Sequence, residues 1–322
     1  MKERDENMKQ AVNKLPTNSK IAIQVKAIYR KRELYLILAP VLLFYLVFAY
    51  KPMYGVIIAF KEFNYAKGIM GSPWVGLKYF EQLITLPGFD VAFKNTLLIA
   101  LGRIVFAFPA PIIMALVLNE VRNLRMKKFF QTVYTFPHFL SWVILGGIAV
   151  NFFSDSGFVN GILTNLGFDK INVLTQPDSF LTFIFASDIW KEMGWGTIIY
   201  LATLAGISPE LYEAAKLDGA NRFKCLVHIT WPMIVPTVVI LLILNVGNAM
   251  NLGGFDQIIN TYNAAVYSKS DILDTYIYRR TFAMGASFSS SAAVGLMKSI
   301  ISCVLLYSAN KAAKLMGQEG IL

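Results

Sequence analysis

Apolar runs long enough to cross a bilayer recur six times in this chain, at about 34–58, 91–118, 129–153, 180–205, 233–251 and 292–313. A membrane-spanning helix needs roughly 20 mainly apolar residues. Only helices and closed barrels satisfy their own backbone hydrogen bonds in hydrocarbon. Charged residues make up 16% of the chain, well below the roughly 25% of a soluble domain. The spacing predicts an all-α, polytopic membrane protein with six transmembrane helices.

Charge orients those helices. The net charge is +10, but the excess is clustered, so nucleic acid is not an expected partner and a lipid bilayer is. Nine Lys/Arg residues precede position 33, and Arg122, Arg125, Lys127 and Lys128 share one short loop. Basic loops stay on the cytoplasmic side. Both termini are expected there, with 61–90, 154–179 and 252–291 outside. The chain divides into a basic arm (1–33), a membrane domain (34–316) and a cytoplasmic tail (317–322). Within the arm, "KIAIQVKAIYRKR" (20–32) fits an interfacial helix and a solvated basic arm alike. No apolar run with a small-residue cleavage site opens the chain, so no cleaved signal peptide is expected. Cys225 and Cys303 fall in a loop and a span, which argues against a disulfide. His138 and His228 stand apart, and no metal site is expected.

One charged island interrupts the pattern. "LYEAAKLDGANRFKCLVHITWP" (211–232) lies within a loop (206–232) placed on the cytoplasmic side. It reads as two short helices around a bend, with Ser208 as N-cap, Pro209 in the first turn and Gly219 supplying the positive φ that ends a helix. Pro232 marks the start of the next span. The pattern alone fits a docking element and an ordinary helix-turn-helix loop equally.

Glu213-Ala214-Ala215, three residues, Gly219, nine residues, Ile229 and Pro232 resemble the EAA loop of binding-protein-dependent ABC importers, with Trp231 where that motif has Leu. "SPWVGLKYFEQL" (72–83), "FPHFLSW" followed by "FFSDSGFVNGIL", and "DTYIYRRTF" (274–282) carry the resemblance over most of the chain from about residue 34. They are similar to segments of the branch holding maltose, glycerol-phosphate, alginate and polysaccharide permeases. "YKPMYGVIIAFKEFN" (50–64) looks most like the polysaccharide and alginate type.

The resemblance implies the permease fold of a type I ABC importer in a bacterial cytoplasmic membrane. It implies a second permease chain in a heterodimer, two cytosolic ATPase subunits, an extracellular solute-binding protein and an oligosaccharide substrate. It also implies that the island is the coupling element that docks on the ATPase. Glu213 would meet a basic group there, Ala214 and Ala215 would permit close packing, and Gly219 would make the bend between Asp218 and Arg222. The chain has no G-x-x-x-x-G-K-[ST] and no Gly-Lys pair, so it has no phosphate-cradling P-loop. No enzyme activity and no cofactor are expected in it; ATP and Mg²⁺ belong on the partner ATPase. The alternatives are a permease for glycerol phosphate or a peptide, and an ion-coupled secondary transporter. The latter usually shows internal repeats, and none is visible.

Charged groups inside a span cost about 2.5–3.5 kcal/mol each on insertion scales and are functional candidates by default. The fourth run holds "ASDIWKEMGWGTIIY". At 100° per residue Asp188, Lys191, Glu192 and Trp195 share a face, with Glu192 about 18 Å deep. Trp190 points elsewhere unless Gly194 and Gly196 loosen the helix. Aromatic rings stack on the C–H faces of sugars, and planar polar groups take their hydroxyls. Lys191, Glu192, Trp195 and Trp190 are therefore candidate substrate-binding residues, against the plainer reading that Asp188 and Lys191 pair at i, i+3. Asn248, Asn251 and Phe255, at the end of the fifth run, are further candidates by resemblance to sugar permeases, whereas asparagines there also serve as interhelical glue. Arg103 and Lys298 are intramembrane cations that either snorkel or pair.

Overall fold

The computed structural model describes residues 31–285, 287–318 and 320–321; the arm helix expected at 20–32 lies mostly outside them. The chain divides into two units, 1–57 and 58–322, each taken by itself. The first holds most of α1 (Arg32–Phe60), whose apolar side chains point in every direction, as lipid contact demands.

Proline sets the irregularities of the long helices. A π-helical turn spans Leu46–Tyr50 in α1, and Pro52 follows it. The same arrangement recurs at Arg103–Ala107 before Pro109 and at Leu226–Thr230 before Pro232. A proline ring inside a helix clashes with the carbonyl four residues back. That carbonyl belongs to Phe48, Val105 and His228, the middle residue of each π turn. Widening the turn relieves the clash without ending the helix.

The second unit contains α2 (Phe89–Glu120), α3 (Leu124–Thr135), α4 (Trp142–Phe153), α5 (Pro177–Ala205) and α6 (Pro209–Leu217). It continues with α7 (Arg222–Gly247), α8 (Phe255–Thr261), α9 (Leu273–Tyr278) and α10 (Phe288–Leu315). Among the described residues the only β pairing is an isolated bridge between Lys61 and Trp74. Five stretches are long and apolar enough to cross a membrane: α1, α2, 142–165, α7 and α10. The sixth, α5, is 29 residues long, about 44 Å at 1.5 Å per residue; its charged cluster lowers its apolarity.

Two spans differ from expectation. The run at 129–153 is not one helix: α3 ends at Thr135, a 3₁₀ turn covers Phe136–Phe139, and α4 restarts at Trp142. Pro137 has no N–H to continue a ladder, and the Ser141 hydroxyl accepts from the Ile144 amide at 3.3 Å to cap the new helix. The fifth span begins at Arg222 rather than 233, because Asn221 caps it by accepting from the Lys224 amide at 2.8 Å. It gives way at Gly247 to a 3₁₀ turn over Ala249–Asn251.

Helix α5 is the hub. Phe180 and Ile184 pack with Ile99 and Ile258 in one apolar cluster, while Tyr200 and Leu204 pack with Ile112 and Ile234 in another, so α5 binds α2, α7 and α8. Apolar contact gives no solvent-driven advantage among lipid tails, so membrane helices rely on close backbone approach at small residues. Gly194 provides one: a Cβ there would collide with the Tyr134 carbonyl at the end of α3. Gly194→Ala is expected to force the two helices apart at a cost of roughly 1–3 kcal/mol, read as a lower thermal midpoint of the purified protein. An unchanged midpoint would mean that the approach is not tight.

Candidate functional site

The break between α3 and α4 faces the middle of α5. In an unbroken helix the His138 carbonyl would accept from the Trp142 amide, but Trp142 now opens the next helix. An unpaired backbone carbonyl away from water is costly, and the donor comes from α5. Lys191 Nζ donates to it at 2.7 Å and to Glu192 Oε1 at 3.1 Å. Lys191 also lies 5.8 Å from the centre of the Trp142 ring, and only 6% of it is exposed. This is a structural use of a charge that sequence reasoning put in the substrate site.

His138 completes the group. Its Nδ1 lies 2.7 Å from Glu192 Oε2, and its ring stacks on Trp195 with centroids 4.4 Å apart and planes 5° from parallel. Phe139 meets the same indole edge-on at 6.0 Å. Trp195 is 47% exposed and the Glu192 side chain 41%. The structure therefore brings Lys191, Glu192 and Trp195 together through a residue that the sequence left isolated. Pro137 before it and the Ser141 cap after it were the available signs of a helix break there. Trp190 lies outside the group: it is exposed and makes no ring contact among the described residues.

Asp188 does not pair with Lys191. Its Oδ1 lies 3.3 Å from Arg103 Nη1, with both side chains about nine-tenths buried. Arg103 Nη2 also donates to Gln257 Oε1, and Gln257 Nε2 donates to the Ile184 carbonyl and to Ser187 Oγ, each at 2.8 Å. This network binds α2, α5 and α8. Lys298 likewise pairs, with Asp274. Neither intramembrane cation snorkels.

The Asn248–Phe255 segment stands apart. Asn251 Nδ2 donates to Asn248 Oδ1 at 2.8 Å, Asn245 Nδ2 donates to the Leu241 carbonyl of its own helix at 2.9 Å, and Phe255 meets Tyr278 edge-on at 5.8 Å. Among the described residues no hydrogen bond, ion pair or ring contact joins these residues to the His138 group.

The charged island forms its own surface. Ser208 Oγ accepts from the Glu210 amide at 3.3 Å and caps α6. Gly219 has φ +76°, and Asn221 then starts α7, so the second arm of the island is continuous with a span rather than a separate short helix. Tyr212 Oη lies 3.0 Å from Thr230 Oγ1 and ties α6 to α7. A cavity of about 640 Å³ is lined by Glu120, Tyr212, Glu213, Lys216 and Arg222 among others, and Arg222 lies 3.7 Å from Glu120. Glu213, Ala214, Asp218 and Arg222 are exposed and Ala215 is half-buried. Leu217 is 90% exposed, and Phe223 is also exposed; the sequence reading missed both apolar side chains on this surface.

Comparison with known proteins places this architecture. Residues 107–313 match the family described as "Binding-protein-dependent transport system inner membrane component". The chain is 45% identical to Protein LplB of Bacillus subtilis (strain 168), over 92% of each chain. It is 42% identical to the polygalacturonan/rhamnogalacturonan transport system permease protein YteP of the same organism, over 91% of each. Its structure matches a chain of a bacterial ABC transporter involved in import of the acidic polysaccharide alginate, with a TM-score of 0.82 and 38% identity, over 90% of this chain and 98% of that one. A second match, with a TM-score of 0.83 and 37% identity over 92% and 99%, is to the alginate transporter in complex with a periplasmic protein bound to alginate pentasaccharide. The resemblance that began with the EAA loop thus holds over about nine-tenths of the chain, and the chain belongs to the family of binding-protein-dependent transport system inner membrane components.

Proposed function

We propose that this chain is one of two permease subunits of an ATP-driven importer for an acidic oligosaccharide in a bacterial cytoplasmic membrane. An extracellular solute-binding protein delivers the sugar, and both termini lie in the cytoplasm, as the basic loops require. Two cytosolic ATPase subunits bind ATP and Mg²⁺. This chain moves solute and hydrolyses nothing. Relatives named for alginate and polygalacturonan/rhamnogalacturonan support the substrate class.

One observation carries the site: a half-exposed aromatic and carboxylate patch set against a backbone break halfway along the spans. Non-helical backbone at membrane depth is tolerated where it is buried in protein or lines a water-filled cavity, and the exposure of Trp195 and Glu192 favours the cavity. In the proposed mechanism Trp195 stacks on the C–H face of a sugar ring while Glu192 accepts from its hydroxyls. Lys191 stays in place and holds the broken backbone open. Asn248, Asn251 and Phe255 form a second contact region nearer the outer surface. Exchange of the cavity between the two sides is driven through the island, where Glu213 meets a basic group on the ATPase, Leu217 and Phe223 supply apolar contact, and the Asp218–Arg222 bend fixes the angle between α6 and α7.

Trp195→Ala is expected to lower uptake in proteoliposomes at least about tenfold, ~1.4 kcal/mol, while the complex assembles and the binding protein keeps its affinity. Unchanged uptake in both Trp195→Ala and Glu192→Gln would move the site to the Asn248–Phe255 segment. Glu213→Lys reverses a charge on the docking surface and is expected to reduce co-purification of the ATPase subunit while leaving membrane insertion intact. Wild-type recovery of the ATPase would show that Glu213 takes no part in docking.

A further inference from the structure

We infer that His138 is the specificity-determining residue through which this site accepts a carboxylated sugar. The inference rests on the proposed placement of the sugar at the α5 patch. A carboxylate brought to that patch meets Glu192, a like charge, and needs a cation. Lys191 is the obvious one, but it is buried, and its ammonium already serves the His138 carbonyl and Glu192 Oε1. Its charge is spent inside the protein.

His138 is the basic group that remains. Its Nδ1–H donates to Glu192 Oε2 at 2.7 Å, Nε2 has no hydrogen-bond partner among the described residues, and 28% of the side chain is exposed. Stacking on Trp195 fixes the ring plane, so Nε2 has a defined direction. Histidine changes charge near neutral pH, and the change inverts what Nε2 offers. The neutral ring presents a lone pair that accepts from a sugar hydroxyl. The protonated ring presents an N–H that donates to a sugar carboxylate, and the indole face favours the cation.

Other groups around the ring leave this balance to His138. From α5 come Lys191 and Glu192, whose charges cancel, and Asp188 one turn away, which Arg103 holds at 3.3 Å. The other rings are uncharged: Phe139 edge-on to His138 at 5.6 Å, and Trp142 of α4, 5.8 Å from Lys191 Nζ. The patch therefore sums to zero with a neutral ring and to +1 with a protonated one. Binding of a carboxylate draws a proton onto the ring from water in the same cavity, and by linkage the carboxylated sugar binds more tightly as pH falls.

The assembled complex in nanodiscs is titrated from about pH 5.5 to 8.5 while tryptophan emission is recorded, with Trp195→Phe subtracted to isolate Trp195. An imidazolium stacked on an indole quenches its emission. The expected result is a titration that His138→Gln abolishes and that moves to higher pH with trigalacturonate but not with its methyl ester. In proteoliposomes, the uptake ratio of acid to ester is corrected for the binding protein's own preference, measured separately by calorimetry. His138→Gln keeps a hydrogen-bond donor toward Glu192 but not the charge, and the ratio is expected to fall at least about tenfold, the scale of one hydrogen bond to a charged group. The ratio is also expected to lose its pH dependence. A wild-type emission that does not titrate, or a ratio and pH profile unchanged in His138→Gln, overturns the inference. If Trp195→Ala still abolishes uptake in that case, the sugar site stands and only the role of His138 is lost. If Trp195→Ala and Glu192→Gln both leave uptake intact, the placement of the site itself has failed.

Discussion

A carbonyl released inside a bilayer needs a donor, and the contact from Lys191 to the His138 carbonyl meets that need. Without it, the gap between α3 and α4 would leave a desolvated acceptor beside the middle of α5. With it, the backbone stays open opposite the middle of α5. Lys191 then places Glu192 through their mutual contact, Glu192 places His138, and His138 places Trp195. The patch is a chain of dependencies that begins with one backbone atom.

This order explains which parts were legible in the sequence. Periodicity and length identify six long segments, and the spacing from Glu213 to Pro232 marks the EAA loop of the family, because both are properties of consecutive residues. The break at Phe136–Ser141 was also written locally, in Pro137 and Ser141, yet 129–153 reads as one apolar run when hydropathy alone is counted. His138 was hidden for a different reason. Its partners lie more than fifty positions away on α5, and no local pattern reports a stack between helices.

The charges teach a related lesson. Helical spacing puts Asp188 and Lys191 on one face, where an i, i+3 pair is reasonable. The fold assigns them to different neighbours, because α2 offers Arg103 to one and the broken helix offers a carbonyl to the other. Buried ion pairs contribute little net stability, but losing one partner is costly. Arg103 with Asp188 joins α2 to α5, and Lys298 with Asp274 joins α10 to α9. Glu192 and His138 are different in kind: their side chains keep 41% and 28% of their surface exposed.

The same helix joins that patch to the charged island. From Trp195 to Ala205, α5 continues without interruption, and only Gly206, Ile207 and Ser208 separate it from α6. Ile207 is buried with Tyr200 and Leu204, so the short connection is anchored in the core. On the other side of the bend α7 starts at the Asn221 cap, and Tyr212 ties it to α6 through Thr230. The island is therefore held by two long helices that both enter the membrane. In the proposed coupling, a displacement of α6 by the ATPase would have little flexible backbone in which to dissipate, and α5 would carry it to Trp195 within three helical turns. A compact charged helix in an apolar chain is what that arrangement requires: polar enough to stay in water, short enough to move as one piece, and rigidly joined to the helix that bears the patch.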